Sequence, residues 1–459
     1  MNRLAERLPE LYLLFALPLL TFLAVNTPLF IFADEHTHLL RAETIAEGHL
    51  LAHRTDDGQQ SGAEVDGNLL KLTDVYLPLL TVENQRITPE LKDKAKAIFW
   101  GGPQIFINIP NTAIYPPIFY APITGGLMLG KALHTSVQNS VVLARLCTLT
   151  ISLLLSYLAL RLAPRGRYLL FALLLLPMTL AQMAACSQDS LLLSCAALLT
   201  ALVVRPPTKE RAASAGEFAA IALLIALLSL ARPTFLSFCL LLFIVRRQQR
   251  PILSAAVASG LIVAANAAWI AYVSAKVMVM QTVIGYTPDM PGQMRWMLAH
   301  PAAFPLATVK NLIHFGWGLW VAFIALIGYG HGWLLFPDYY YLVASWVLLA
   351  AAIATMTECG GMAPLPALGL WIAVIGSFIG IYLAQYLSFT EVGGDEVRGV
   401  QGRYFTPLFM VAGMALPWWQ RFPKAMRAGH AAAALPVVLF PLLTLLLLPL
   451  RIISVYYVR

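Results

Sequence analysis

The sequence predicts an all-α membrane protein, a bundle of about 11 transmembrane helices. Hydrophobic residues make up 59% of the 459 residues and charged residues only 12%, which is about half the charged share of a soluble domain. Apolar runs of about 20 residues recur along the chain, and that is the length a helix needs to cross a bilayer. Continuous runs are unlike the two-residue alternation of a membrane β-barrel strand. Composition therefore excludes an ordinary soluble enzyme, a disordered chain and a coiled coil.

Basic clusters set the predicted orientation. The net charge of +8 comes from Lys and Arg groups between apolar runs, and the positive-inside rule places such groups in the cytoplasm. Arg3 and Arg7 precede the first apolar run, which predicts a retained first helix with a cytoplasmic N-terminus. The clusters lack the aromatic-studded basic surface of a nucleic-acid-binding domain, so we expect no nucleic-acid partner. The later clusters lie at 161–167, 205–211, 246–250 and 421–427.

The clusters also divide the chain into spans and loops. Helical hairpins are predicted at 168–186 with 190–204 and at 217–231 with 234–245. An even number of crossings must connect the last two clusters, so one of the five apolar segments between them does not span. The Gly- and Trp-rich segment 311–330 is the best candidate for an interfacial helix. The whole chain, 1–459, is then one integral membrane domain with periplasmic loops at 33–140, 274–338 and 389–406.

Isolated charges mark a candidate site. A charge at the edge of a membrane helix costs several kcal/mol unless it is paired or hydrated. Arg145, Asp189 and Arg232 begin or connect predicted helices at the same outer face as Asp34 and Arg403. Hairpin turns often carry polar residues simply because they are exposed to water. For any single position, this explanation is at least as good as a functional role. Agreement among separate turns on one face favours a functional site.

The acidic motif ADEHTHLLRAETIAEGHL occupies residues 33–50, directly after the first apolar run. His38 follows Asp34 by four residues and Arg41 follows His38 by three, so all three share one helical face. Asp34 could accept a proton from a sugar hydroxyl, and Arg41 could bind a phosphate oxygen. A capped helix explains the motif equally well, with Asp34 as N-cap and Glu35 in the first turn. A metal held by Asp34, Glu35 and His38 is a minority option.

Two further motifs are polar or aromatic at predicted helix ends. NTAIYPPIFYAP, residues 111–122, places Tyr115 on a rigid proline-rich loop, although a helix-entry segment explains most of it. GGDEVRGVQGRYFTP, residues 393–407, concentrates glycines and ionic groups just before an apolar helix. Gly allows a backbone to approach a ligand closely, and Arg403 is suited to clamping a phosphate. A flexible loop would explain the glycines but not the polar QGRY sequence at the bilayer edge.

Taken together, these motifs resemble a domain-of-unknown-function family of bacterial multi-pass membrane proteins. DEHTHLLRAETIAEGHL is similar to that family's D-E-x-x-H-x-x-R-A…G-H-L pattern, and VQGRYFTP to its Q-G-R-Y-F-x-P signature. Such proteins look similar to GT-C glycosyltransferases, which implies a GT-C-like bundle, an acidic motif in the first external loop and a polyprenyl-phosphate sugar donor. The residues that the resemblance implies for the site are Asp34, Glu35, His38, Arg41, Gln401, Arg403 and Tyr404.

The expected function is that of a glycosyltransferase of the bacterial inner membrane with its active site in the periplasm. The donor would be a sugar on undecaprenyl phosphate and the acceptor a surface glycan, such as O-antigen or a lipid-linked glycan. Asp34 would be the general base of an inverting displacement, while Arg403, with Arg232 or Arg41, would stabilise the departing phosphate. Asp189 and Glu35 would orient the acceptor or hold a divalent cation, although the arginines make a metal unnecessary.

Two other classes of function fit the same residues. A transporter or flippase for a lipid-linked glycan would also use arginines to bind phosphate. Its charges should line a path through the bilayer, whereas here they are expected at one face, and the chain has no internal repeat of the kind common in transporters. A non-catalytic assembly subunit would leave the QGRYF motif unexplained.

Overall fold

The chain folds into a predominantly helical membrane protein. The computed structural model describes residues 2–82, 84–204, 213–245, 251–282, 285–328, 334–335, 339–355, 364–415 and 430–458. The basic clusters at 205–211, 246–250 and 421–427 lie outside these residues, as does part of the 274–338 loop. The helices are α1 Asn2–Asn26, α2 Glu35–Ala46, α3 Gly67–Tyr76, α4 Pro78–Thr81, α5 Pro89–Lys96, α6 Pro110–Ala113, α7 Ala121–Ala132, α8 Val137–Leu162, α9 Arg167–Leu174, α10 Pro177–Ala184, α11 Gln188–Val203, α12 Ala215–Ala231, α13 Leu240–Ile244, α14 Pro251–Lys276, α15 Met290–Ala299, α16 Ala303–Ala325, α17 Tyr339–Ala354, α18 Pro364–Ser388, α19 Thr406–Ala415 and α20 His430–Tyr456.

Fewer helices than predicted are long enough to cross a membrane. Among the described residues, five qualify by length and composition: Leu4–Asn26, Val137–Leu162, Pro251–Lys276, Pro364–Ser388 and Ala432–Tyr456. A sixth results if α9 and α10, bent by 65° at a short break, count as one span. Pro177 begins α10 and cannot continue the hydrogen bonds of α9, which explains this break. The expected 11 crossings are therefore not confirmed.

Most of the other predicted spans form helices that are shorter than a full membrane crossing. Helices α11 and α12 and the pair formed by the 3₁₀ turn Pro233–Cys239 with α13 are apolar but shorter than a full crossing, as is the Tyr341–Ala354 part of α17. Segment 311–330 folds as most of α16, which then passes into a β-strand. Helix α16 is not among the candidate spans found in the described residues, and its predicted interfacial position stays a prediction.

Residues 33–140, predicted as the first periplasmic loop, fold into a small sheet and several short helices, which we call the cap. Strands β1 His53–Arg54, β2 Ser61–Asp66 and β3 Gln104–Asn108 make an antiparallel sheet in the order β1-β2-β3. Asp66 ends β2 and also caps α3, where its side chain accepts a hydrogen bond from the Asn68 backbone. Helices α2 to α7 complete this cap and connect it to the long helix α8.

A second, smaller sheet brings distant segments together near the acidic motif. Strands β4 Leu326–Gly328 and β5 Leu334–Leu335 pair antiparallel, and Gly328 also bridges to Phe32. A Cβ atom at Gly328 would lie 2.0 Å from the carbonyl oxygen of Ile31, so only glycine fits this contact. The bridge holds the chain just before Asp34 against the end of α16.

Candidate functional site

A cavity of about 390 Å³ collects many of the predicted site residues. It lies between the 110–115 segment, the ends of α12 and α18, and the 3₁₀ turn Gly402–Phe405. Met278, Met280 and Met290 form part of another wall, and methionine adapts its shape readily to a ligand. The sequence-predicted residues that line the cavity are Asp34, His38, Tyr115, Arg232, Gln401 and Tyr404.

An ionic cluster of two carboxylates and two guanidinium groups adjoins this cavity, and two of its members, Asp34 and Arg232, line the cavity wall. Arg403 pairs with Asp34, 369 residues away in the sequence. The Nε atom of Arg403 also lies 3.2 Å from Oδ2 of Asp189, and Arg232 donates to Oδ1 of the same Asp189. The Arg232 guanidinium stacks 4.3 Å from the ring centre of Tyr404. The two arginines and two aspartates have a formal charge sum of zero.

Asp34 has a strained backbone and does not cap its helix. Its φ of 59° and ψ of 6° are left-handed, a conformation that costs an aspartate about 1–2 kcal/mol. It occupies the N-cap position of α2, yet its side chain makes no capping hydrogen bond and turns instead to Arg403. The helix-cap explanation of this aspartate is therefore wrong for its side chain. Non-glycine residues held in this way often cluster at functional sites.

Arg403 is positioned by close packing of the turn that carries it. Gly402 lies directly against the backbone of α16, where an added Cβ would be 2.2 Å from the Leu319 carbonyl oxygen and 2.4 Å from the Phe323 nitrogen. Any larger residue would push the turn away from α16. The arginine side chain itself is 3% exposed, so its charge is almost fully enclosed by protein.

His38 is buried at the cavity wall and neutral at ordinary pH. Its Nδ1 atom is 2.8 Å from the hydroxyl oxygen of Tyr120, and its ring stacks on Tyr115 with a centre-to-centre distance of 6.1 Å. Burial lowers the pKa of His38 to about 4, although Asp189 and Asp34 act in the opposite direction. A neutral imidazole has one donor and one acceptor nitrogen for hydrogen bonds to polar groups around it.

Glu35 and Arg145 lie apart from the cavity, which corrects their predicted roles. Arg145 donates to both carboxylate oxygens of Glu35, at 2.7 Å from Nε and 2.5 Å from Nη2, and both side chains are fully buried. Arg145 also donates to three carbonyl oxygens at the end of α1 and just beyond it. Since this pair joins α1, α2 and α8, we assign it a structural role instead of contact with a substrate.

Arg41 also points away from the ionic cluster. It donates to the Thr44 hydroxyl and to the carbonyl oxygens of His49 and Leu50, which follow the end of α2. The guanidinium group thereby binds two backbone carbonyl oxygens of the segment that follows α2. The expectation that Arg41 binds phosphate is not supported by this geometry.

The minority metal option fails on the same geometry. Adjacent residues of a helix point in different directions, so Asp34 faces Arg403 while Glu35 faces Arg145. In the part of the chain that the structure describes, His, Cys, Asp and Glu side chains form no group of three able to hold a metal ion. The three proposed ligands Asp34, Glu35 and His38 are thus not gathered at one point.

A second cavity, about 360 Å³ in volume, was not predicted from the sequence. It lies beside the first cavity, which we call the ionic cavity because Asp34 and Arg232 line it. Phe405 lines the second cavity, and the preceding residue, Tyr404, lines the ionic cavity. Apolar cavity residues have the same composition as ordinary core residues, so the sequence carried no signal for it. Its walls come from α16, α18, the 3₁₀ turn Gly402–Phe405 and α19: Leu312, Gly316, Leu319, Trp320, Phe323, Trp371, Val374, Phe378, Phe405, Leu408, Phe409 and Ala412.

Fold and site together define a helical membrane protein with an ionic cavity next to an apolar one. Residues 17–412 match the model of the family described as predicted membrane protein (DUF2142), and the chain belongs to this family. No curated protein and no solved structure matches the chain. The predicted membership of a membrane family of unknown function is thus confirmed.

Proposed function

We propose that this protein is a membrane glycosyltransferase that moves a sugar from a polyprenyl-phosphate donor to a surface-glycan acceptor. The observation that carries the proposal is the contact between Asp34 and Arg403 at the wall of the ionic cavity. Sugar transfer from a lipid phosphate needs an acid–base group for the acceptor and cations for the leaving phosphate. The cluster supplies both at the wall of one cavity, where Asp34 and Arg232 line the cavity and Arg403 lies behind Asp34.

The apolar cavity supports a lipid-linked donor. A polyprenyl chain is apolar and its phosphate is anionic, so such a donor needs two unlike compartments side by side. Helix α18 contributes Val374 and Phe378 to the apolar cavity and Ile381 and Gln385 to the ionic one. Val374 and Gln385 are separated by about 16 Å along the helix axis, at 1.5 Å per residue. One donor with a single lipid chain could contact both.

The proposed chemistry is a single displacement at the anomeric carbon. The acceptor hydroxyl oxygen forms the new glycosidic bond, and its proton passes to the Asp34 carboxylate. The bond between the anomeric carbon and the phosphate oxygen breaks, and its electron pair leaves with the polyprenyl phosphate. Arg232 and Arg403 stabilise the negative charge that develops on this phosphate, an effect typically worth about 100- to 1000-fold in rate per electrostatic donor. Inversion at the sugar follows from one displacement, and the proposed setting is the periplasmic face of the inner membrane.

The proposal is tested with the full chain reconstituted in bilayers that contain a radiolabelled polyprenyl-phosphate sugar and a lipid-linked glycan. We expect transfer by the unmodified protein and a loss of about 100-fold or more with Asp34→Asn or Arg403→Ala. Asp395→Asn and Arg398→Ala provide matched controls, because Asp395 and Arg398 form exposed ion pairs elsewhere. Normal transfer by both cluster variants would reject the proposed roles, and movement of the lipid between leaflets without transfer would indicate a flippase.

A further inference from the structure

Asp34 stands between the ionic cavity and Arg403. The Asp34 side chain lines the cavity and is 32% exposed, whereas the Arg403 side chain that it pairs with is 3% exposed. A phosphate that enters the cavity meets the Asp34 carboxylate before it reaches Arg403. Because both are anionic, they compete for the same guanidinium group.

Asp189 is the fixed partner of the two arginines. It is 5% exposed, contacts both Arg232 and Arg403, and lies in the first turn of α11. A carboxylate is favoured there by the partial positive charge of the helix N-terminus. Releasing Asp189 would leave two buried cations and one buried anion without these contacts, which is costly.

Asp34 is the partner that can be displaced at lower cost. Its side chain is the more exposed of the two carboxylates, so water from the cavity can solvate it after release. Its backbone is already held by hydrogen bonds from the Thr37 hydroxyl and the His38 amide to its carbonyl oxygen. The carboxylate can therefore turn without unfolding the start of α2.

We propose that Asp34 is a built-in competitor for Arg403, which the phosphate of the lipid-linked substrate displaces. This inference rests on the proposed function and adds an order of events. Phosphate binds Arg403, the Asp34 carboxylate turns towards the cavity, and only then does it face the acceptor hydroxyl. While it is paired with Arg403, the Asp34 carboxylate does not face the acceptor hydroxyl, so the protein removes a proton only when a donor is present.

The charges of this cycle balance. The donor is a phosphodiester with one negative charge, and Asp34 carries another. After transfer the polyprenyl phosphate carries two negative charges, while Asp34 has gained the acceptor's proton and is neutral. When Asp34 loses that proton to water, its carboxylate competes for Arg403 again and promotes release of the product.

The test measures binding of undecaprenyl phosphate to the full chain in phosphatidylcholine nanodiscs. Asp34→Asn removes the competing charge, and asparagine tolerates the left-handed backbone. We expect it to bind undecaprenyl phosphate about fivefold more tightly, which corresponds to the loss of one partly exposed ion pair. Asp189→Asn, which removes the fixed partner, should bind no better than the unmodified protein. The exposed variant Asp395→Asn and the uncharged lipid undecaprenol are controls that should show no gain.

The possible results separate the competitor role of Asp34 from the proposed transfer function. If undecaprenyl phosphate binds the unmodified protein but Asp34→Asn binds with equal or lower affinity, the competitor role is overturned and the proposed function stands. If neither protein prefers undecaprenyl phosphate to undecaprenol, both are overturned. A transfer assay adds a readout that a merely structural role would not give: Asp34→Asn should lower KM for the donor while it lowers kcat. Asp34→Gly, which relieves the backbone strain, should show the same tighter binding and guards against a folding defect.

Discussion

The carboxylate of Glu35 and the guanidinium of Arg145 form a fully buried two-point ion pair, although the two residues are 110 positions apart. Glu35 also accepts hydrogen bonds from the backbone nitrogens of Phe30 and Cys186. The pair thus joins the start of α2 to α8 and to the segment before α11. It holds the chain beside Asp34 rigidly, so the neighbouring carboxylate is presented to Arg403.

Removing one member of this pair should destabilise the protein strongly. Glu35→Gln or Arg145→Met leaves the other charge buried and unpaired, which costs about 3–5 kcal/mol. We expect a large fall in the melting temperature of the detergent-purified protein, measured by fluorescence. The double variant should lose less than the sum of the two, because the second substitution removes a charge that is already unpaired. Lys310→Met, at an exposed ion pair, is the control, and equal losses in the control and the pair variants would contradict the structural role.

Composition was sufficient to predict the class of fold but not the number of crossings. Apolar runs locate helices, and the long helices α1, α8, α14, α18 and α20 follow these runs closely. The prediction of eleven crossings counted short apolar runs such as 190–204, 217–231 and 234–245 as spans and took residues 168–186 as one helix. Local hydropathy does not report the bend before Pro177 or the depth at which a short helix lies.

The sequence could group site candidates but not pair them. Asp34, Asp189, Arg232 and Arg403 were expected at one face, and the structure brings their side chains into contact. Helical spacing placed Arg41 on the same face as Asp34. Spacing alone does not predict whether a side chain turns towards a cavity or towards the segment after its own helix. Asp34 and Glu35 are adjacent in the sequence, and only the tertiary fold determines that Asp34 pairs with Arg403 and Glu35 with Arg145.

Gly402 should be intolerant of even a single added carbon. Because a Cβ atom there would overlap the α16 backbone, Gly402→Ala should shift the turn that carries Arg403 and move its guanidinium group away from a phosphate in the cavity. We expect a lower melting temperature and at least a tenfold loss of undecaprenyl phosphate binding. Gly260→Ala in α14 is the matched control, since an added Cβ there meets no atom within 4 Å. If Gly402→Ala behaves like Gly260→Ala, the packing account of the site is wrong.

The left-handed backbone at Asp34 should be measurable as a difference in stability between two variants. Asp34→Gly and Asp34→Ala remove the same carboxylate but differ in the Cβ atom, which is unfavourable at a φ of 59°. We therefore expect the glycine variant to be about 1–2 kcal/mol more stable than the alanine variant, in chemical denaturation of the detergent-purified protein. Both should be equally defective in sugar transfer. Equal stability of the two variants would show that the left-handed backbone carries no strain.

The cluster of Glu43, Glu47 and Lys131 predicts a specific dependence of stability on pH. The Glu43 carboxylate is fully buried 2.6 Å from the Lys131 ammonium, which also pairs with the more exposed Glu47. Burial raises the pKa of Glu43 from 4.5 to about 8, because one lysine only partly offsets the desolvation of the carboxylate. The folded protein therefore binds a proton that the unfolded chain has lost. The stability contributed by this group falls as the pH rises from about 4.5 to about 8.

Glu43→Gln should remove this slope, because glutamine resembles the protonated carboxyl at every pH. We expect the melting temperature of the unmodified protein to fall more steeply between pH 5 and pH 8 than that of the variant, when both are measured in one detergent. His38 opposes this trend below its ordinary pKa of 6.5, since its folded-state pKa of about 4 makes stability fall as the pH decreases. That contribution is present in both proteins and cancels in the difference. Glu90→Gln, at a fully exposed carboxylate, should keep the slope of the unmodified protein, and an unchanged slope in Glu43→Gln would show that Glu43 is ionised in the folded state throughout this range.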